Sequence, residues 1–265
     1  MSDESALMGG MDPAAGVVRV GDTVRRPARR SSPATRALLL HLEAVGFDGA
    51  PRFLGVDEQG RDVLTFVEGE VPLPPYPPWA LTDEALESLG RLIRRFHRAT
   101  ATFDQTSATG WSDEWSDREG GPVVCHNDLF PENVVFRDGR VAAFIDFAEA
   151  APGRPLWDLA IACQEWAPVH APGSRLHHPD RLDGVRRVGL LARAYGLEPD
   201  RAEELVDLIA QERAQELAHV RAEVAAGHEP WVSHWAETDG EGRAAADDAW
   251  LRDNRAALVR AVSER

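Results

Sequence analysis

The sequence predicts an α+β protein of two lobes, a small lobe with an antiparallel sheet and one helix, then a larger helical lobe. Three observations predict it. Residues 17–67 alternate short β-prone runs and turn residues around a single helix with one apolar face. A proline-rich stretch follows, and beyond residue 80 the hydrophobic spacing is mostly helical. A chain of 265 residues can form two small lobes, each with a core, and a hydrophobic fraction of 43% is ordinary for a globular protein.

Each element has a local cause. Residues 1–16, rich in Gly, Ala, Ser and Met, are expected to be mobile. Val17 to Val20 and Thr23 to Arg26 flank Gly21-Asp22 and read as a hairpin, which Pro27 ends. Ser32-Pro33 supplies a cap and a first-position proline for a helix whose apolar face carries Leu38, Leu39, Leu42 and Val45. Arg52 to Val56 and Asp62 to Val67 read as two further strands, giving a reduced sheet of about four. Gly69 and prolines 72, 74, 75, 77 and 78 form a stiff connector. The lobes are therefore expected at 1–68 and 81–265, with 69–80 as linker. Thr82 caps a helix carrying Leu86, Leu89, Leu92, Ile93 and Phe96, and residues 104–121 read as loop. Val134 to Phe136 and Val141 to Ile145 form a hairpin turning at Asp138-Gly139. From Leu156 the pattern is mostly helical, with one long acidic helix over 201–227.

The formal charge of −15 argues against general nucleic-acid binding and is compatible with a cationic substrate. All 29 basic residues are arginine, so any role that lysine usually fills falls to arginine. No apolar run approaches the roughly 20 residues that span a membrane. The N-terminus lacks the features of a secretory signal, and two cysteines make no disulfide framework, so a cytoplasmic location is expected. Oligomeric state has no sequence signature here.

The chemistry concentrates in residues 126–147. His126-Asn127-Asp128-Leu129, Pro131 and Asn133 are followed by Ile145-Asp146-Phe147. Kinase catalytic loops read His-Arg-Asp-Leu, three residues, then Asn, with a metal-binding Asp-Phe further on, and only the middle residue of the triplet differs. Phosphoryl transfer needs a positioned hydroxyl, cations on the phosphate oxygens and in-line geometry. Asp128 offers a proton acceptor. Asn133 and Asp146 offer hard oxygens suited to Mg²⁺. His126 is the second catalytic candidate, as a brace for the loop rather than a base.

These residues, with Gly153, Pro155 and Asp158-Leu159-Ala160, resemble the aminoglycoside phosphotransferase family. The resemblance is strong over 123–162 and reaches weakly back to about residue 17. It implies a protein-kinase-like fold and transfer of the γ-phosphate of ATP or GTP to a small-molecule hydroxyl. It also implies Asp128 as base, Asn133 and Asp146 on Mg²⁺, and Asp158 as a buried structural carboxylate. An N-terminal charge favoured by the helix dipole is the other reading of Asp158. Aminoglycoside-type antibiotics are one acceptor class among several in the family.

The first lobe departs from the kinase pattern. Arg25 is the best match for the basic residue that holds the α/β-phosphates and Arg26 the second; strand alternation lets only one face the cleft. No glutamate occupies the early turns of the following helix, where Thr35 or Arg36 stands instead. Gly9, Gly10 and Gly16 are scattered and make no clear phosphate-covering hairpin. Backbone groups at Phe66, Val67 and Glu68 are expected to meet the nucleotide base. Glu165, Glu212 and Glu216 are candidates for an amine-bearing acceptor, the last two one helical turn apart. Trp166, Trp231 and Trp235 offer packing or cation–π walls. The competing readings are a non-catalytic nucleotide- or metabolite-binding protein, motivated by the reduced first lobe, and a protein kinase. The latter is disfavoured because nothing resembles an Ala-Pro-Glu motif or a long activation segment after Asp146.

Overall fold

The computed structural model describes residues 4–6 and 16–264. In chain order the strands are β1 (Glu4–Ala6), β2 (Val18–Val20), β3 (Thr23–Arg26), β4 (Phe53–Val56), β5 (Asp62–Thr65), β6 (Val123–Cys125), β7 (Val134–Arg137), β8 (Arg140–Phe144) and β9 (Ala151–Gly153). The α-helices are α1 (Ser32–Ala44), α2 (Asp83–Thr100), α3 (Pro155–Trp166), α4 (Gly184–Tyr195), α5 (Ala202–Ala226), α6 (Trp231–Glu237) and α7 (Gly240–Ser263). The chain divides into two compact units, Met1–Leu73 with Leu92–Pro155 and Pro74–Arg91 with Leu156–Arg265. The division passes through α2.

The first unit holds a five-stranded antiparallel sheet in the order β1-β2-β3-β5-β4. The fifth strand comes from the segment expected to be mobile. Glu4, Ser5 and Ala6 pair with Val20, Arg19 and Val18, a long-range pairing that composition does not announce. Helix α1 buries Leu38, Leu39 and Leu42, as its apolar spacing requires. Its N-cap is Ser31, without a side-chain cap. Ser32 instead accepts from the Arg29 N–H and donates to buried Asp62.

The core of this unit is aromatic. Phe96, near the end of α2, lies 5.8 Å from each of Phe47, Phe144 and Phe147, and none of these rings is more than 4% exposed. Burial of each ring stabilises by about 1.5–3 kcal/mol, and edge-to-face pairs add about 1 kcal/mol. Phe144 and Phe147 flank Asp146, so this packing anchors the strand end on which that carboxylate sits.

The second unit is helical. It includes the start of α2, which Thr82 caps as expected, accepting from the Ala85 N–H at 3.1 Å. The unit's fully buried cation, Arg187 on α4, gives Nη1 to the Leu81 carbonyl at 2.8 Å and Nε and Nη2 to the Trp166 carbonyl at 3.1 and 2.8 Å. The carbonyls replace water around the guanidinium, which burial still pushes down to about 10. Asp247 on α7 is likewise buried, accepting from Ala171 N–H at 2.7 Å and from the Ser174 hydroxyl, with His170 Nδ1 at 3.0 Å. Among the described residues no helix is long and apolar enough to cross a membrane.

Candidate active site

Two β-hairpin constraints assemble the site within the first unit. The turn between β7 and β8 places Asp138 at φ 52° and Gly139 at φ 73°, the pair of positive angles that a two-residue type I′ turn requires. Antiparallel register then sets Val134 opposite Phe144, and the Ile145 N–H donates to the Asn133 carbonyl at 2.9 Å. The two candidate metal ligands, Asn133 and Asp146, therefore sit at neighbouring ends of one hairpin. The short β6–β9 pair closes the other side. It sets Cys125 opposite Ala151, bracketing both the loop that carries Asp128 and the turn after Asp146. Gly69 lets the chain pass close to β7: a Cβ there would meet the Phe136 carbonyl, and the neighbouring Glu70 forms a bridge to Phe136.

The loop itself is held by buried polar groups. His126 is fully buried, its Nε2 lies 3.0 Å from the Ile145 carbonyl, and its ring packs on Phe144 and Phe147. The ring therefore ties the loop that carries Asp128 to the end of β8. Asn127 adopts φ 62° and donates through Nδ2 to the Glu149 carbonyl at 2.9 Å. A short amide tolerates this left-handed backbone where most side chains do not, which gives the altered middle residue of the triplet a structural reason.

Asn133 donates through Nδ2 to the Asp128 carbonyl at 3.0 Å, which leaves Oδ1 as the amide atom able to serve a metal ion. Asp146 sits at φ 61°, ψ 70°, and accepts from the Ala148 N–H at 3.3 Å. An amide oxygen and a carboxylate at adjacent hairpin ends are the donor types Mg²⁺ prefers, so the residues fit that ion. Burial pushes the half-buried Asp128 up to about 8, with the negative charges of Asp146, Glu149 and Glu132 adding to the rise and the Asn133 side chain opposing it. Burial would also raise Asp146, but the Arg26 guanidinium outweighs it and holds that carboxyl below its ordinary value.

The two candidate arginines meet different partners. Arg26, not Arg25, reaches the candidate metal ligand: its Nη2 lies 2.5 Å from Asp146 Oδ1. Arg25 points the other way, donating to Thr23 Oγ1 at 2.6 Å with Asp57 at 3.7 Å. Alternation restricts the site to one of the two, and only the sheet's placement decides which. The pair that would hold the basic residue is also rearranged. Of the two residues near the helix position where kinases carry a glutamate, Thr35 donates to the Phe147 carbonyl at 3.1 Å and Arg36 donates to Asp62 Oδ1 on β5 at 2.6 Å. Arg26, Arg36, Asp62 and Asp146 line one cavity of about 20 Å³.

The remaining expectations fare unevenly. At 66–68 the Phe66 N–H already donates to the Asp22 carbonyl at 2.9 Å and the Glu68 carbonyl accepts from Arg137 Nε at 2.9 Å. Those two backbone groups are therefore engaged inside the protein. The Arg19 guanidinium stacks 3.6 Å from the Phe66 ring centre and reaches Glu68 at 3.0 Å. Gly9 and Gly10 lie outside the described residues. Glu165, Glu212 and Glu216 belong to the second unit. Glu212 is buried rather than solvent-facing and accepts from Gln164 Nε2. Burial and the neighbouring Glu216 raise it well above the ordinary carboxylate range. Burial raises the pKa of half-buried Glu216 above the ordinary carboxylate value, and nearby His170, Arg213 and Arg243 oppose the rise without cancelling it. Asp158 is fully buried in the first turn of α3, and Trp166 is core. The sequence reading missed Glu149, half-buried behind Asp146 and accepting from the Ser112 hydroxyl; burial raises its pKa. Its place three residues after Asp146 was the available signal.

Comparison with known proteins bears on this geometry. The sequence profile of the phosphotransferase enzyme family (APH) matches residues 104–205, which include the whole loop and hairpin. The trifolitoxin immunity protein of Rhizobium leguminosarum bv. trifolii is 36% identical over 234 residues, 82% of this chain and 86% of that protein. The chain belongs to the phosphotransferase enzyme family. A homoserine kinase of Neisseria meningitidis serogroup B is 35% identical over 81 residues, 31% of this chain and 24% of that kinase. Two solved structures carry the same fold. A choline/ethanolamine kinase family protein from Mesorhizobium loti has a TM-score of 0.63 at 18% identity, covering 93% of this chain and 88% of its own. The GDP complex of aminoglycoside 2′-phosphotransferase-IIIa has a TM-score of 0.64 at 15% identity, covering 95% and 93%. The kinase-like α+β fold expected from the sequence is thus the fold observed.

Proposed function

We propose that this family member moves the γ-phosphate of ATP or GTP to a hydroxyl of a small molecule. The observation that carries the reading is the hairpin geometry, which delivers Asn133 and Asp146 together beside the Asp128 loop. Asp128 takes the acceptor's proton as the new O–P bond forms and the β–γ bridge breaks, with the nucleoside diphosphate leaving. Asn133 and Asp146 would hold Mg²⁺, which when bound supplies positive charge against the phosphate oxygens. Arg26 stands on the same side as Asp146 and takes the phosphate-holding role usual for lysine.

The toxin immunity named for the Rhizobium relative supports a toxin as acceptor, with the aminoglycoside class as another candidate. An acceptor amine has Glu165, Glu212 and Glu216 as candidate partners. The test is nucleotide turnover across a panel of hydroxylated antibiotics, peptide toxins and metabolites. Asp128→Ala is expected to lower kcat by about 10²–10⁴-fold with an unchanged melting temperature; a folded variant at full rate would sink the reading. Binding without turnover is the second reading, favoured by the Arg26–Asp146 contact, which occupies a candidate metal ligand. Calorimetry with ATP and GTP, with and without Mg²⁺, followed by phosphate release over the same panel, separates the two.

A further inference from the structure

We infer that Arg26 is a positioning residue that couples metal binding to nucleotide: Asp146 binds a divalent ion more tightly when a polyphosphate draws the guanidinium away. The inference rests on the phosphotransferase reading and deepens it. Its basis is the set of partners open to Arg26. One guanidinium nitrogen lies 2.5 Å from Asp146 Oδ1, so the carboxylate that a cation would use is already neutralised. Two acids on the neighbouring β4–β5 hairpin already have partners. Asp62, directly opposite Arg26 in the β3–β5 register, is held by Ser32 Oγ at 2.8 Å and Arg36 Nε at 2.6 Å. Asp57 is held by Arg61 at 2.8 Å with Arg25 at 3.7 Å. The early turns of the following helix supply no glutamate, and carry Thr35 and Arg36 instead.

Two further features make the contact an exchange rather than a permanent tie. Arg26 Nε is buried with no hydrogen-bond partner, so the guanidinium has a donor unspent in its present position. Its side chain is only 13% exposed, so water is a poor substitute once the Asp146 contact is given up. A triphosphate supplies several anionic oxygens that match a guanidinium's planar donors, and lysine would offer no such fork. Arg26 thus has two good positions, on Asp146 or on phosphate. Binding of nucleotide releases Asp146, and by linkage binding of metal releases Arg26 for the nucleotide.

The experiment is a Mn²⁺ titration followed by electron paramagnetic resonance on full-length protein without nucleotide. Arg26→Gln is expected to bind Mn²⁺ at least about tenfold more tightly than wild type, because removing a cation in direct contact with a ligand carboxylate lowers its competition. Arg26→Lys, which keeps the charge, is expected to stay within about threefold of wild type. A non-hydrolysable triphosphate should tighten Mn²⁺ binding by a larger factor in wild type than in Arg26→Gln. If Arg26→Gln does not fold, Asp146→Asn provides the reciprocal arm: with EDTA present it should bind nucleotide more tightly than wild type, since Arg26 is released. Equal Mn²⁺ affinity in Arg26→Gln and wild type overturns the inference, as does an Asp146→Asn affinity no better than wild type. Wild type that binds the Mn²⁺–nucleotide pair while Arg26→Gln shows no gain would overturn this coupling alone. Wild type that binds neither would overturn the phosphotransferase reading with it.

Discussion

Glu212 shows at the residue scale how burial changes what a carboxylate is for. Helical spacing placed it with Glu216 on one face, and one turn of helix cannot tell a solvated acid from a buried one. In the structure it is 8% exposed, holds the Gln164 amide and has Glu216 beside it, so its folded pKa lies well above the ordinary carboxylate value. The folded state therefore keeps the proton more tightly than the unfolded chain, and its contribution to stability falls as pH rises above about 4.5. Glu212→Gln preserves the shape and a polar partner for Gln164 while removing the ionisation. Urea midpoints are expected to coincide with wild type near pH 4.5, and at pH 8 the variant should be more stable by at least about 1 kcal/mol. A variant less stable than wild type at pH 8 would show that the charged form is the one the fold needs. Arg25 and Arg26 give the other residue-scale lesson. The sequence restricts the phosphate-facing arginine to one of two neighbours, but the choice depends on which sheet face meets the Asp146 turn, and no local pattern encodes that.

Elements were legible where their causes are local. The β2–β3 and β7–β8 hairpins announce themselves through Gly21-Asp22 and Asp138-Gly139, α1 and α2 through apolar spacing, with the Thr82 cap on α2, and α5 through its long acidic run. Strand β1 and the pairing of β6 with β9 were not, because no turn joins either to its partner and the pairing is fixed only by residues distant in sequence. The candidate site was legible because so much of it is one hairpin. This makes the turn a test of the assembly. Gly139→Val puts a β-branched residue at φ 73° and is expected to cost about 1–2 kcal/mol or more. It should also weaken metal binding by shifting Asn133 against Asp146. Gly139→Asn, whose side chain tolerates positive φ, should cost less than half as much. Thermal melts and Mn²⁺ titration of both variants check the pair, and equal losses in the two would refute a type I′ requirement.

At the scale of the whole molecule the governing quantity is charge. The formal −15 at pH 7 repels itself in the compact state, while exposed pairs such as Arg186–Asp83, Arg221–Glu241 and Arg255–Asp207 attract. Salt screens both, and the balance decides the sign of its effect. Each exposed pair contributes only about 0–1 kcal/mol, because two long side chains lose rotamer freedom to make a contact that water already weakens. The net repulsion involves every uncompensated acid on the surface, so at pH 8 screening it should outweigh the lost pairs. Raising NaCl from about 0.05 to 0.5 M shortens the screening length from more than 10 Å to about 4 Å. The melting temperature at pH 8 should therefore rise across that range. Near pH 5.0, the sequence pI, net repulsion vanishes while most of the pairs persist, and the same salt increase should leave the melting temperature flat or lower it slightly. A fall with NaCl at pH 8 would mean that the arginine pairs, not the excess of acids, dominate the surface energetics. The same screening extends to the proposed acceptor: kcat/KM for a cationic acceptor should fall over this salt range, and that for a neutral one should not.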